Sequence, residues 1–275
     1  VSISDKDRTF IPKGGSEMRS SFFVLVLSMI CCGAFAAEVP NQAQEEPLVT
    51  MKSQVLSKFL DRSVLRNDDF VTTTDVRVEY KNFGLEINGV ADLTNDNENI
   101  NEVTDIDLQF DYTYHYNKLA LQVGLNYFIY PNDKEEQSTV ELFTKASYDL
   151  GWGLVPYTKI ACDIDEAQGQ YFEVGSDHVL DLTDKVKKLG PIESIKVLSH
   201  ANIAYGTSDY NEYYFDHKDN GFQMVKVGTG VEFGVKKWTV APTLEYYYML
   251  DHTIDNAMDE DANGLIYGLQ FGCKF

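Results

Sequence analysis

Positive charge is scarce in this 275-residue chain: 23 lysines and arginines stand against 43 aspartates and glutamates, a net −20. Nucleic-acid surfaces need a Lys/Arg footprint to meet phosphate, so that class of partner is excluded. Tryptophan (2) and proline (7) are sparse, and cysteine is limited to four. A stretch with the helical period is missing, and no apolar run reaches the roughly 20 residues that a membrane-spanning helix requires. What is abundant is tyrosine (17), phenylalanine (16) and glycine (19). Aromatics with glycines favour many strands joined by tight turns.

The one apolar run is short. Met18-Arg19 precedes "SSFFVLVLSMICCGAFA", which ends on Ala34-Phe35-Ala36. A positive start, a brief apolar core and a small-x-small ending predict a signal peptide over 18–36, cleaved after Ala36. Residues 1–17 read as a non-native extension in which "KGGSE" is a translated ribosome-binding site. Cys31 and Cys32 fall inside the signal without a lipoprotein pattern. Residues 37–50, polar with two prolines, form a flexible lead-in. The remaining 51–275 is one domain.

That domain alternates. Strands are expected near 51–63, 70–80, 83–93, 102–115, 119–130, 137–149, 154–165, 169–178, 194–205, 222–235, 238–250 and 264–275. The last, "GLIYGLQFGCKF", sets Leu265, Tyr267, Leu269, Phe271, Cys273 and Phe275 on one face of an extended chain. Links of two to four residues ("KN", "YNK", "LGWG", "KK") alternate with longer ones such as "TNDNENIN" and "GTSDYNEYYFDHKDNG". The exceptions are a brief link at 166–168 and a long one at 179–193, which reads as a small helical cap. Short turns at one rim and long loops at the other predict an all-β fold: an up-and-down antiparallel transmembrane β-barrel of about 12 strands.

A soluble barrel shows the same alternation with its apolar face inward. Three observations place that face in lipid. Twelve strands enclose more space than the roughly eight whose side chains just fill an interior. Strands of ten or more residues match the tilted span of a bilayer. Trp152 and Trp238 fall beside short turns, where an interfacial girdle belongs. The expected location is the outer membrane, with lipid and lipopolysaccharide as its surroundings.

The other face then lines the lumen. Acidic candidates there are Asp105, Asp107, Asp111, Glu141, Asp163, Asp165, Glu173, Glu232 and Glu245; basic candidates are Arg77, Lys145, Lys159 and Lys226. Two readings stay open: a cross-strand salt-bridge network that fills a narrow barrel, and a pore whose carboxylates favour cations. Aromatics at Phe128, Phe143, Tyr171 and Tyr247 narrow the opening. Cys162 and Cys273 sit on the lipid parity of distant strands, too far apart for a disulfide, so both are free thiols. Asp259, Asp261 and Asn263 copy the opening of a calcium loop, but position twelve is Gln270 instead of a bidentate glutamate. No dedicated metal site and no cofactor are expected. His115 and His200 face the lumen, and no Ser–His spacing marks a nucleophile. An enzyme is not expected; a surface-attachment barrel and an outer-membrane hydrolase are the alternatives to a pore for small solutes.

Several stretches, among them "SKFLDRSVLRNDD", "GLEINGVADLTNDN", "NYFIYPND" and "WTVAPTLEYYYMLDHTI", resemble the TorF-type family of outer-membrane porins. The resemblance covers about residues 51–275 and implies a barrel without carrying over site residues. That family shows an Arg-Gly pair after its first strand; here Arg62 is followed by Ser63. The terminal aromatic also resembles the signal read by the barrel-assembly machinery, which makes that machinery an expected partner of the last strand.

Overall fold

The structure, a computed structural model, describes residues 46–94, 103–131, 137–185, 190–251, 254 and 263–275. The expected extension (1–17), signal peptide (18–36) and most of the lead-in lie outside the described residues, as do Asp259 and Asp261.

Twelve strands close into one antiparallel barrel. In chain order they are β1 (Leu48–Leu56), β4 (Val71–Tyr80), β5 (Phe83–Asp92), β6 (Val103–Tyr116), β7 (Leu119–Ile129) and β8 (Thr139–Tyr148). There follow β9 (Leu154–Asp163), β10 (Gln170–Asp181), β11 (Ser194–Gly206), β12 (Gly221–Val235), β13 (Trp238–Met249) and β14 (Asn263–Lys274). Sequence neighbours pair throughout, and β1 closes on β14 with Met51 opposite Cys273 and Gln54 opposite Gln270. Closure leaves no unpaired strand edge facing hydrocarbon, where an unbonded backbone group costs several kcal/mol.

The period-two pattern sorts as expected. Leu85, Ile87, Phe110, Leu121, Val174 and Leu265 are all exposed on the outer wall, while Asp111, Asn126, Glu141 and Asp163 are buried inside. Two aromatic belts border the apolar band. Tyr80, Phe83, Tyr116, Tyr148 and Trp238 flank short turns, and Trp152 stands 90% exposed within one. Phe70, Tyr127, Phe222 and Tyr248 mark the opposite rim. Amphipathic rings settle at the level of lipid headgroups, so the two belts fix where a bilayer meets the barrel.

Three elements depart from the expected pattern. The strand expected over 51–63 leaves the wall after Leu56, because the adjacent apolar pair Phe59-Leu60 breaks alternation. Ser57 donates its N–H to the Tyr267 carbonyl at 2.9 Å, and the chain then turns away. It forms a separate hairpin, β2 (Phe59–Asp61) and β3 (Val64–Asn67), before rejoining at β4. The long link between β11 and β12 contains a helix, α1 (Ser208–Phe215). The link expected over 179–193 begins later, since β10 runs on to Asp181; its described part holds one 3-10 turn at Thr183–Lys185.

Candidate functional site

The hairpin and α1 fill the barrel interior near the long-loop rim. The β2–β3 turn places Arg62 and Ser63 at φ of 41° and 72°. Consecutive left-handed residues match the twist of a two-residue hairpin turn, a place that usually takes Asn-Gly. Leu60 and Val64 pack into an apolar cluster with Phe143, Tyr171, Met224 and Tyr247 from the wall and Tyr210 and Phe215 from α1.

The Arg62 side chain is only 8% exposed. Its Nη1 donates to Glu141 Oε2 of β8 at 2.6 Å, and its Nε donates to Asp61 at 3.0 Å. The guanidinium carbon lies 4.0 Å from the centre of the Phe128 ring on β7. Asn126, opposite Glu141 in the β7–β8 register, donates to Glu141 Oε1 at 2.9 Å. Arg66 donates to the Tyr130 hydroxyl at 3.1 Å and lies over both the Tyr130 and Tyr214 rings. Asn67 donates to Asp92 of β5 at 3.1 Å. Burial acts to raise the Asp61 carboxyl, and the Arg62 and Arg66 guanidiniums overcome it, holding Asp61 below the usual carboxylate range.

Helix α1 braces the hairpin from the side of β10. Its Tyr210 ring stacks near Tyr171 of β10, 5.6 Å between centres. Buried Asn211 donates to the Asp219 carbonyl at 2.7 Å and accepts from Gln223 at 2.7 Å. The helix can come this close because residue 169 is glycine: a β-carbon there would collide with the Tyr210 backbone. Asp216 ends the helix in the left-handed conformation.

Below this plug the lumen is polar. Arg77 donates to Asp111 at 2.9 and 3.1 Å, to Glu79 at 2.8 Å and to Glu86 at 3.2 Å. His200 lies 2.6 Å from Glu245, and Lys226 3.8 Å from the same carboxylate. Between His200, Lys226 and Glu245 and the underside of Phe59 and Leu60 is a cavity of about 380 Å³, lined also by Gln54, Asp75, Asn88 and Gln270.

The expected lumen residues therefore fall into different settings. Asp105 and Glu141 are buried at plug level, and Asp107 has Asp61, Asp105, Arg62 and Arg66 as its charged neighbours. Asp163 accepts from Thr139 at 2.7 Å and from the backbone N–H groups of Asp165, Ala167 and Gln168. Asp165 itself is exposed in the link past the end of β9; the strand stops two residues early, so this side chain does not line the lumen. Glu173 accepts from Tyr157 at 2.6 Å and Tyr171 at 2.7 Å. Glu232 faces Lys196 at 3.9 Å. Lys145 lies over Tyr157 and Lys159 over Phe143. Cys162 and Cys273 are free and buried. Asn263 opens β14, and among the described residues no three His, Cys, Asp or Glu side chains converge as metal ligands. Sequence reasoning missed Arg62 and Arg66. Their signal was two arginines four residues apart in a segment that breaks strand alternation.

No protein-family model matches the sequence, and no curated protein does. Solved structures similar to it include the NanC porin, with 12% identity, 82% of this chain and 100% of that chain covered, and a TM-score of 0.48. The KdgM porin in complex with disordered oligogalacturonate shares 8% identity over 83% of this chain and 99% of that one, with a TM-score of 0.49. LpxR from Salmonella typhimurium shares 8% over 83% and 99%, at a TM-score of 0.44. These likenesses say nothing about activity.

Proposed function

We propose that the chain is an outer-membrane channel for small solutes, held shut by its own β2–β3 hairpin. The observation that carries this reading is the pairing of buried Arg62 with Glu141 on the wall. A barrel with a polar interior and an apolar, aromatic-belted exterior suits the outer membrane, and the resemblance to TorF-type porins points the same way. The hairpin is spliced in, not part of the wall, and it is attached through side-chain contacts that break without disturbing the strand ladder.

The reading also joins the two accounts of the lumen acids. With the hairpin in place, Arg62 and Arg66 offset the carboxylates at plug level. With the hairpin withdrawn, Asp105, Asp107, Glu141 and Asp163 become a ring of negative charge at that level, which favours cations.

Leu56 and Val71 are direct cross-strand partners, so an Asn-Gly turn replacing residues 57–70 closes the gap left by removing the hairpin. In planar bilayers the intact protein gives rare, brief current steps. The shortened protein gives large, long-lived steps that favour cations, and D107N with E141Q weakens the preference. Silence from both proteins would leave a closed barrel with a role in surface structure or attachment.

A further inference from the structure

Arg62 sits in a socket that does not depend on the hairpin. Glu141, Asn126 and Phe128 belong to the adjacent wall strands β7 and β8, on one inward face. Asn126 ties down Glu141 Oε1 and leaves Oε2 free to meet a cation. The Phe128 ring supplies a flat surface 4.0 Å away. A carboxylate oxygen beside an aromatic face recognises a planar cation through one charge-assisted hydrogen bond and one cation–π contact. It does not suit a bare divalent metal, which takes six or more oxygen ligands or a tight octahedron.

The occupant fits imperfectly. Among the described residues Arg62 Nη2 is buried without a hydrogen-bond partner. Arg62 and Ser63 are both held at positive φ to place the side chain there, a conformation that costs about 1 kcal/mol or more for a residue other than glycine. A free solute does not bear the backbone cost.

We infer that Glu141, Asn126 and Phe128 form a binding site for small solutes ending in a guanidinium, occupied from within by Arg62. A solute of that kind entering the lumen competes with Arg62 for Glu141, and its binding releases the hairpin. The exchange makes the channel's opening depend on a solute it admits. The opening step rests on the channel reading above; the site does not. Because Arg62 is tethered, it acts at an effective concentration in the millimolar range or higher, so free solute competes only at similar concentrations.

The test uses R62A, which vacates the socket, with R62Q as a second variant in case the smaller side chain prevents folding. Heat-modified mobility on a gel confirms a folded barrel. The probe is methylguanidinium at roughly 1–20 mM, and methylurea, uncharged and of the same shape, is the control. In detergent, methylguanidinium raises the unfolding temperature of R62A saturably, with at least about tenfold less effect on the parent protein at equal concentration. Methylurea does nothing, and R62A/E141Q loses the response. An equal response to methylurea, or one that survives E141Q, overturns the site. Currents recorded in parallel separate the two proposals. Steps from R62A without the thermal response sink the site and leave the channel; the thermal response from a barrel that never conducts, even with the hairpin removed, sinks the channel and leaves the site.

Discussion

The Tyr210 hydroxyl donates to the Arg62 carbonyl oxygen at 3.2 Å, joining helix and hairpin across 148 positions of sequence. The bond ties α1 to the turn of the hairpin.

Removing that hydroxyl while keeping the ring tests the connection. Y210F loses one hydrogen bond, worth about 1 kcal/mol, and leaves the Arg62 carbonyl unsatisfied at that point. The expected outcome is a roughly fivefold increase in the fraction of time the channel spends open, the ratio that such an energy sets. Single-channel dwell times measure it; an unchanged open fraction would separate α1 from the gate.

Ser63 offers the opposite change. It holds φ at 72° with its hydroxyl buried and, among the described residues, without a hydrogen-bond partner, and glycine carries no penalty in this region. S63G therefore stabilises the closed hairpin by about 1 kcal/mol, and open events become rarer. S63A keeps the backbone penalty while removing the stranded hydroxyl, so comparing the two variants in the same bilayer assay separates backbone from side chain.

In the lower lumen the governing pair is Arg77 and Asp111. The Asp111 side chain is 1% exposed, so R77A leaves a buried carboxylate without its cation. Losing one partner of such a pair costs about 3–5 kcal/mol, to be read as a fall in the urea midpoint of the refolded barrel. R77K recovers only part, because lysine cannot reproduce the paired bonds from one planar group.

The thiols give a check on the wall itself. Cys162 and Cys273 are 7% and 4% exposed. Neither should react with a polar maleimide while the barrel is folded, and both should react in denaturant; mass spectrometry counts the adducts. Rapid labelling of Cys273 in the folded protein would mean that the β1–β14 seam is looser than the register indicates.

Much of the wall could be read directly from residues. In "GLIYGLQFGCKF" every second side chain is apolar, and the strand lies with Leu265, Tyr267 and Phe271 outside and Gln270 within. The short turns were legible for the same reason: two polar residues between alternating segments leave the chain few options. The plug was not legible, because its stability comes from partners remote in sequence. Leu60 and Val64 look like strand residues, and only the barrel around them decides that they face inward toward Phe143 and Tyr247. Arg62 reads as an exposed turn residue until Glu141, 79 positions away, is brought against it. The helix at Ser208–Phe215 was hidden similarly: "SDYNEYYF" has no clear apolar stripe, and its burial depends on Tyr171 and the space left by Gly169.

The hairpin follows β1 without delay, and β1 is also the strand that meets β14 to complete the ring. The seam joins chain segments more than 200 residues apart, the kind of distant pairing that forms slowly. The strand that carries the hairpin is thus one of the two whose pairing completes the ring. On the channel reading, a barrel that closes with the hairpin inside is stoppered from the moment its ring is complete.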